Sequence, residues 1–124
     1  MLRYFKVWLA LGWILVFIVV YLSLTPSPAT IDIKYIDKVK HFFAYFVLMM
    51  WFAQLYKTNN ARILYLLFFI LMGITLEVLQ GLGGVRFFEY SDMLANSLGA
   101  VSALFLTKGQ LKNIFVLLEQ KIMF

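Results

Sequence analysis

The chain of 124 residues contains no cysteine, one histidine, two prolines and only 14% charged residues. Without cysteine there is no disulfide frame, no thiolate nucleophile and no Cys-ligated metal. A single histidine removes the multi-histidine metal sites. A centre drawn from His41, Glu77 and Asp92 would lack any diagnostic local spacing, so no metal and no cofactor is expected. No Ser-His-Asp order, phosphate-binding loop, dinucleotide fingerprint or H-E-x-x-H motif occurs. The scarcity of charge excludes an ordinary soluble domain, which carries about a quarter charged residues.

What fills the chain instead is apolar: 64% of residues are hydrophobic, including 13 Phe. Four apolar stretches stand out, Val7 to Leu24, Phe42 to Tyr56, Ile63 to Leu82 and Met93 to Leu106. At roughly 20 residues per span they exhaust the length, leaving one domain over residues 1–124. The expected fold is all-α, a bundle of four transmembrane helices. The second and fourth stretches are short, but extending them outward to Asp37 and Asp92 restores a spanning length at about 1.5 Å per residue. An N-terminal secretory signal is the rival reading of the first stretch. Its apolar run of about 18 residues exceeds the usual length, and "TPSPAT" offers no small-x-small cleavage site, so it is read as a retained helix.

The net charge of +5 does not signal nucleic acid, because the basic residues fall in short segments between apolar runs. Membrane lipid head groups are the expected counter-ions. Arg3, Lys6, Lys57, Arg62, Lys108, Lys112 and Lys121 fall on one side, opposed only by Glu119. The other side balances Lys34, Lys38, Lys40 and Arg86 with Asp32, Asp37, Glu77, Glu89 and Asp92. The basic side is read as cytoplasmic, with both termini inside and the protein multi-pass in a bacterial plasma membrane. After Lys108, "GQLKNIFVLLEQKIMF" is too short to span. Leu111, Phe115, Leu118 and Ile122 share one face, which predicts a short helix lying in the inner interface.

Ionisable residues within apolar helices are costly in lipid and are candidates for function by default. Asp37, His41 and Tyr45 recur at i, i+4 and i+8, and Lys38 lies three residues before His41. Glu77 and Gln80 are neighbours at i+3, Asp92 and Asn96 at i+4. All belong to the outer side, with Arg86 in the loop "GLGGVRFFEYS", so three helix ends are expected to converge there. The plainer roles are considered beside this one. Asp37 and Asp92 suit helix starts, and Lys38 and Lys40 suit a solvated interface. Glu77 needs a cationic partner such as Lys38 or Arg86, or a raised pKa. The glycines of "GLGGVR" read as a helix cap before a phosphate nest. Ala95, Gly99 and Ala103 form a packing seam, and Trp51 and Tyr90 serve as packing or interface anchors.

At these residues the chain resembles the VanZ-like family, small membrane proteins named for a teicoplanin-resistance protein. The resemblance covers about Ser23 to Ala103 through "SLTP", "DKVKHFFAY", "EVLQ" and "RFFEYSDMLANSLGA". It rests on the combined pattern D-K-x-x-H-F-x-x-Y, E-x-x-Q, R-x-x-x-x-x-D-x-x-x-N-x-x-G. Ala103 stands where family members often carry glycine. The resemblance implies a four-helix membrane protein with signature residues at Asp37, Lys38, His41, Tyr45, Glu77, Gln80, Arg86, Asp92, Asn96 and Gly99. It also implies a role in the cell envelope and a link to glycopeptide resistance.

Three functions suit this reading. In the first, an outer-face site binds or acts on an anionic envelope lipid or cell-wall precursor head group. Lys38 and Arg86 hold the anion, with Glu77 orienting them and Tyr45, Gln80 and Asn96 completing the site. His41 tuned by Asp37 is then the acid or base, and Asp92 the second carboxylate. In the second, the polar network only fixes the geometry of a non-enzymatic scaffold for an envelope enzyme. A proton-coupled transporter ranks last, because the polar groups stop near one face.

Overall fold

In the computed structural model the described residues are 3–24, 34–83, 90–108 and 113–122, with the side chains of 34–37 and 122 left aside. Within them the chain is entirely helical: α1 (Phe5–Leu24), α2 (Lys34–Leu55), α3 (Asn59–Leu82), α4 (Tyr90–Thr107) and α5 (Ile114–Ile122). The four apolar stretches became α1 to α4. α2 starts before Asp37 and α4 before Asp92, so both of these acids are intrahelical, as the length argument required. Successive helices α1 to α4 run up and down, and α2 touches all of the other three, packing most extensively on its parallel neighbour α4.

Two features join the elements locally. Thr58 caps α3, its Oγ1 accepting from the Ala61 N–H at 3.3 Å. Arg62, buried one turn into α3, turns back on the end of α2 and donates through Nη2 to the Ala53 carbonyl at 2.8 Å and through Nε to the Tyr56 carbonyl at 2.9 Å. Those carbonyls have no intrahelical partner left, so the guanidinium satisfies the C-terminus of one helix from the first turn of the next. The sequence reading placed Arg62 among loop cations; its charge is instead turned inward.

The packing seam expected at Gly99 is where α2 and α4 meet. A Cβ on Gly99 would overlap the Phe42 carbonyl oxygen and stand 3.0 Å from the Phe42 carbonyl carbon and 3.1 Å from the Phe46 nitrogen. Ala103 continues the seam fully buried. Two other glycines let bulky groups in. Gly12 of α1 faces Trp51 and Phe52 of α2, and Gly73 of α3 faces Asn96 of α4 and Tyr45 of α2. The middle of the bundle is filled by Leu48, Met49, Phe52, Ala53 and Phe69.

Around this apolar core, large hydrophobic side chains are also exposed and several polar ones are buried. Phe17 and Tyr21 of α1, Leu64 and Leu71 of α3 and Phe105 of α4 are each at least 62% exposed. Meanwhile Gln54, Arg62, Glu77, Gln80, Asp92, Asn96, Thr107 and Glu119 are buried. α1 and α3 are long and apolar enough to cross a bilayer, and little of either is buried against protein, unlike the core helix of a soluble domain. α2 and α4 do not share that composition. α2 carries Lys34, Asp37, Lys38 and Lys40 in its first two turns, and α4 holds Asp92, Asn96, Ser91, Ser97 and Ser102.

The short C-terminal helix expected from the sequence is present as α5. Its Phe115 is buried in the bundle, stacked on Trp8 with ring centroids 4.2 Å apart and set edge-on to Trp51 at 4.7 Å. The Ile114 N–H at its start donates to Oε1 of buried Gln54 at 2.9 Å. The apolar face of α5 therefore packs on protein at Phe115.

Candidate functional site

α2 and α4 begin at the same end of the bundle where α1 and α3 finish, and most of the residues singled out in the sequence lie there. The Lys38 Nζ of α2 pairs with Asp92 Oδ1 of α4 at 2.9 Å, the carboxylate side chain 7% exposed and the lysine 28%. Asp92 sits in the first turn of α4. Its charge thus complements both the helix dipole and the ammonium. One turn deeper, His41 Nδ1 lies 3.1 Å from Asn96 Oδ1. With that oxygen as acceptor, Nδ1 carries the proton and Nε2 is the basic nitrogen of the neutral ring.

Below His41, Tyr45 is buried against Gly73 and within electrostatic reach of the Glu77 carboxylate. Glu77 and Gln80 are each only 1% exposed. Gln80 Nε2 donates to the Ser23 carbonyl near the end of α1 at 2.6 Å, while its Oε1 is buried with no hydrogen-bond partner among the described residues. Gln80 thereby ties the ends of α1 and α3 together. Ser23 belongs to the stretch "SLTP" and had no role in the sequence reading.

The structure thus brings Lys38, His41, Tyr45, Glu77, Gln80, Asp92 and Asn96 to one end. Arg86 and the Asp37 side chain lie outside the described residues, as do Gly84 of the "GLGGVR" stretch and Glu89. Two partnerships between helices were not foreseen. Lys38, read as a neighbour of His41 and a partner for Glu77, forms its ion pair with Asp92. His41 meets Asn96, while the side chain of Asp37, expected to tune it, lies outside the described residues. In both cases the parallel packing of α2 on α4, brought close by Gly99, supplies a partner from the facing helix. Among the described residues no group of three acids or histidines could hold a metal.

The Lys38 and Asp92 pair can be tested by a double-mutant cycle. Asp92→Asn and Lys38→Gln are each expected to cost about 1–2 kcal/mol, below the value for a fully buried pair because Lys38 stays partly exposed. The double variant should lose about 1 kcal/mol less than the sum of the singles, read from unfolding in detergent. Strict additivity would mean the two charges do not interact.

A second polar cluster, missed by the sequence reading, occupies the opposite end. Glu119 of α5 accepts from the Arg3 N–H at 2.8 Å, the Tyr4 N–H at 3.0 Å and Trp8 Nε1 at 2.6 Å. The Trp51 indole donates to the Trp8 carbonyl at 2.8 Å. Desolvation pushes the Glu119 carboxyl up, but the three hydrogen bonds, with the positive N-terminus, outweigh it and hold it below the usual carboxylate value. The signal was available: Glu119 is the only acid on the basic side of the chain.

Compared with family models, curated proteins and solved structures, the chain matches none of them.

Proposed function

We propose that the chain is a VanZ-like membrane protein whose α1 to α4 all cross the bilayer, with both termini cytoplasmic. Its polar end then forms an extracytoplasmic site for an anionic envelope head group, either a lipid-carrier phosphate or a cell-wall precursor. The observation that carries this reading is how the site is built. Two partly exposed groups of α2, Lys38 and His41, are each held from behind by a buried polar residue of α4. A cation posted at a rim by a buried carboxylate is oriented before the ligand arrives, which lowers the entropic cost of binding an anion. Buried acid and amide groups around it would otherwise be a pure penalty in lipid.

The apolar exterior supports insertion of the whole bundle. α2 and α4 fall short by composition because of the polar residues that line this end, several of which are buried. Arg86, by its place in the family-like pattern, is the second anion-holding residue of the proposal. His41, with Nε2 as the basic nitrogen, is the group positioned for proton transfer if the bound molecule reacts, with Asp92 holding Lys38 in place.

One observation favours the scaffold reading: Lys38 and Asp92 neutralise each other, as in a network whose task is to fix helix geometry. Native mass spectrometry of protein purified in its own lipid separates the two. Lys38→Gln and Arg86→Gln are expected to lower co-purified anionic lipid or precursor by about tenfold per folded molecule, the loss of one charge-assisted contact. Unchanged retention, with folded yield reduced in both variants, would support the scaffold.

A further inference from the structure

At the end opposite the polar site, the starts of α1 and α3, the ends of α2 and α4, and α5 come together. Lys6 at the start of α1, Lys108 just past α4 and Lys121 in the last turn of α5 are all exposed there. None of the three has an ion pair among the described residues. Arg3 and Lys57 are exposed at the same end. Glu119 is the one acidic side chain among the described residues of this end, and it could have neutralised a lysine. It is instead buried and turned to the backbone N–H groups of Arg3 and Tyr4 and to the Trp8 indole, all neutral donors. The fold removes the single negative side chain from this surface and leaves the positive ones on it.

We propose that this end is a seat for the anionic phospholipid head groups of the adjoining leaflet, with Lys6, Lys108 and Lys121 as its contacts. The occupant follows from charge and position. The lysines ring the end of a bundle whose flanks are apolar, so the surface they meet is a bilayer's head-group layer, and several spaced point charges suit many mobile phosphates better than one fixed ligand. Docking of α5 by Glu119, Phe115 and Gln54 fixes the helix that carries Lys121 to this end of the bundle. This inference rests on the membrane reading above but concerns the opposite leaflet from the proposed site.

The three tryptophans of the chain, Trp8, Trp13 and Trp51, lie on α1 and α2 in the half of the bundle nearest this end and serve as the reporter. The full chain is reconstituted in vesicles containing brominated phosphatidylglycerol or brominated phosphatidylcholine, and quenching of tryptophan emission is compared. The anionic lipid is expected to compete about fivefold better at low salt, with the preference falling towards unity at about 1 M salt, where the screening length is about 3 Å. The variant Lys6→Gln/Lys108→Gln/Lys121→Gln changes only exposed side chains. It should keep the unquenched emission of the wild type and lose the preference. Equal quenching by both lipids in the wild type, or a preference that survives in the triple variant, overturns the proposal while leaving membrane insertion intact. Quenching by neither lipid overturns insertion itself, and the lipid seat with it.

Discussion

Gly99→Ala is expected to destabilise the bundle by about 3 kcal/mol, the upper range for overpacking, although it adds one methyl group. The new Cβ would overlap the carbonyl oxygen of Phe42, and the Phe46 nitrogen lies 3.1 Å away. Both neighbours are backbone, so no side-chain rotation relieves the clash, and α2 and α4 must separate. Separation would draw Asp92 from Lys38 and Asn96 from His41, so ligand retention should fall together with stability. Leu98→Ala, at a half-exposed position next in sequence, is the control and should stay close to the wild type on both measurements. Unfolding in detergent followed by circular dichroism reads the effect, and wild-type behaviour of Gly99→Ala would mean the two helices are not this close.

Glu119→Ala should release α5 and the first turn of α1 together. Two backbone N–H groups and an indole N–H lose their acceptor at once, which is more damaging than losing an exposed pair. Trypsin should then cleave after Lys108 and Lys112 on the order of tenfold faster, as local opening becomes easier. Tryptophan emission should shift to the red as Trp8 leaves Phe115. The wild type should show the same release in acid, and its direction is fixed by the lowered carboxyl pKa. The stabilisation is complete above the ordinary glutamate value of 4.5 and fades as pH falls from there through the depressed folded value. Glu119→Gln should open readily at neutral pH and show no further loss over that acid window. An acid transition unchanged in Glu119→Gln would assign it to another group.

Much of this was legible in the sequence, and the limits have a physical cause. Apolar runs gave the positions of α1 to α4, because a long uninterrupted hydrophobic stretch satisfies its own backbone hydrogen bonds most readily as a helix. The i+3 and i+4 spacing brought His41 and Tyr45, Glu77 and Gln80, and Asp92 and Asn96 onto common faces, since that spacing is a property of one helix alone. Partnerships between helices were not readable. Whether Lys38 meets His41, Glu77 or Asp92 depends on the rotation and depth of α4 against α2, which a close approach at Gly99 decides. The cluster around Glu119 was missed for a related reason. Gln54 interrupts an otherwise apolar run but its polar neighbours Lys57 and Thr58 fall past the end of α2, and Glu119 has no polar neighbour at helical spacing to suggest a site. Their partners are 60 and more positions away in the chain.

That separation bears on how the protein is made. The acceptor for the Arg3 and Tyr4 amides belongs to residue 119, so 116 positions part the first of these donors from its acceptor. At about 5–20 residues per second a ribosome needs on the order of ten seconds to bridge that gap. Throughout this interval the leading helix has an unsatisfied start, and a nascent chain halted before residue 119 keeps it so. The opening turn of α1 therefore gains this acceptor only after α5 has been synthesised and folded back onto it.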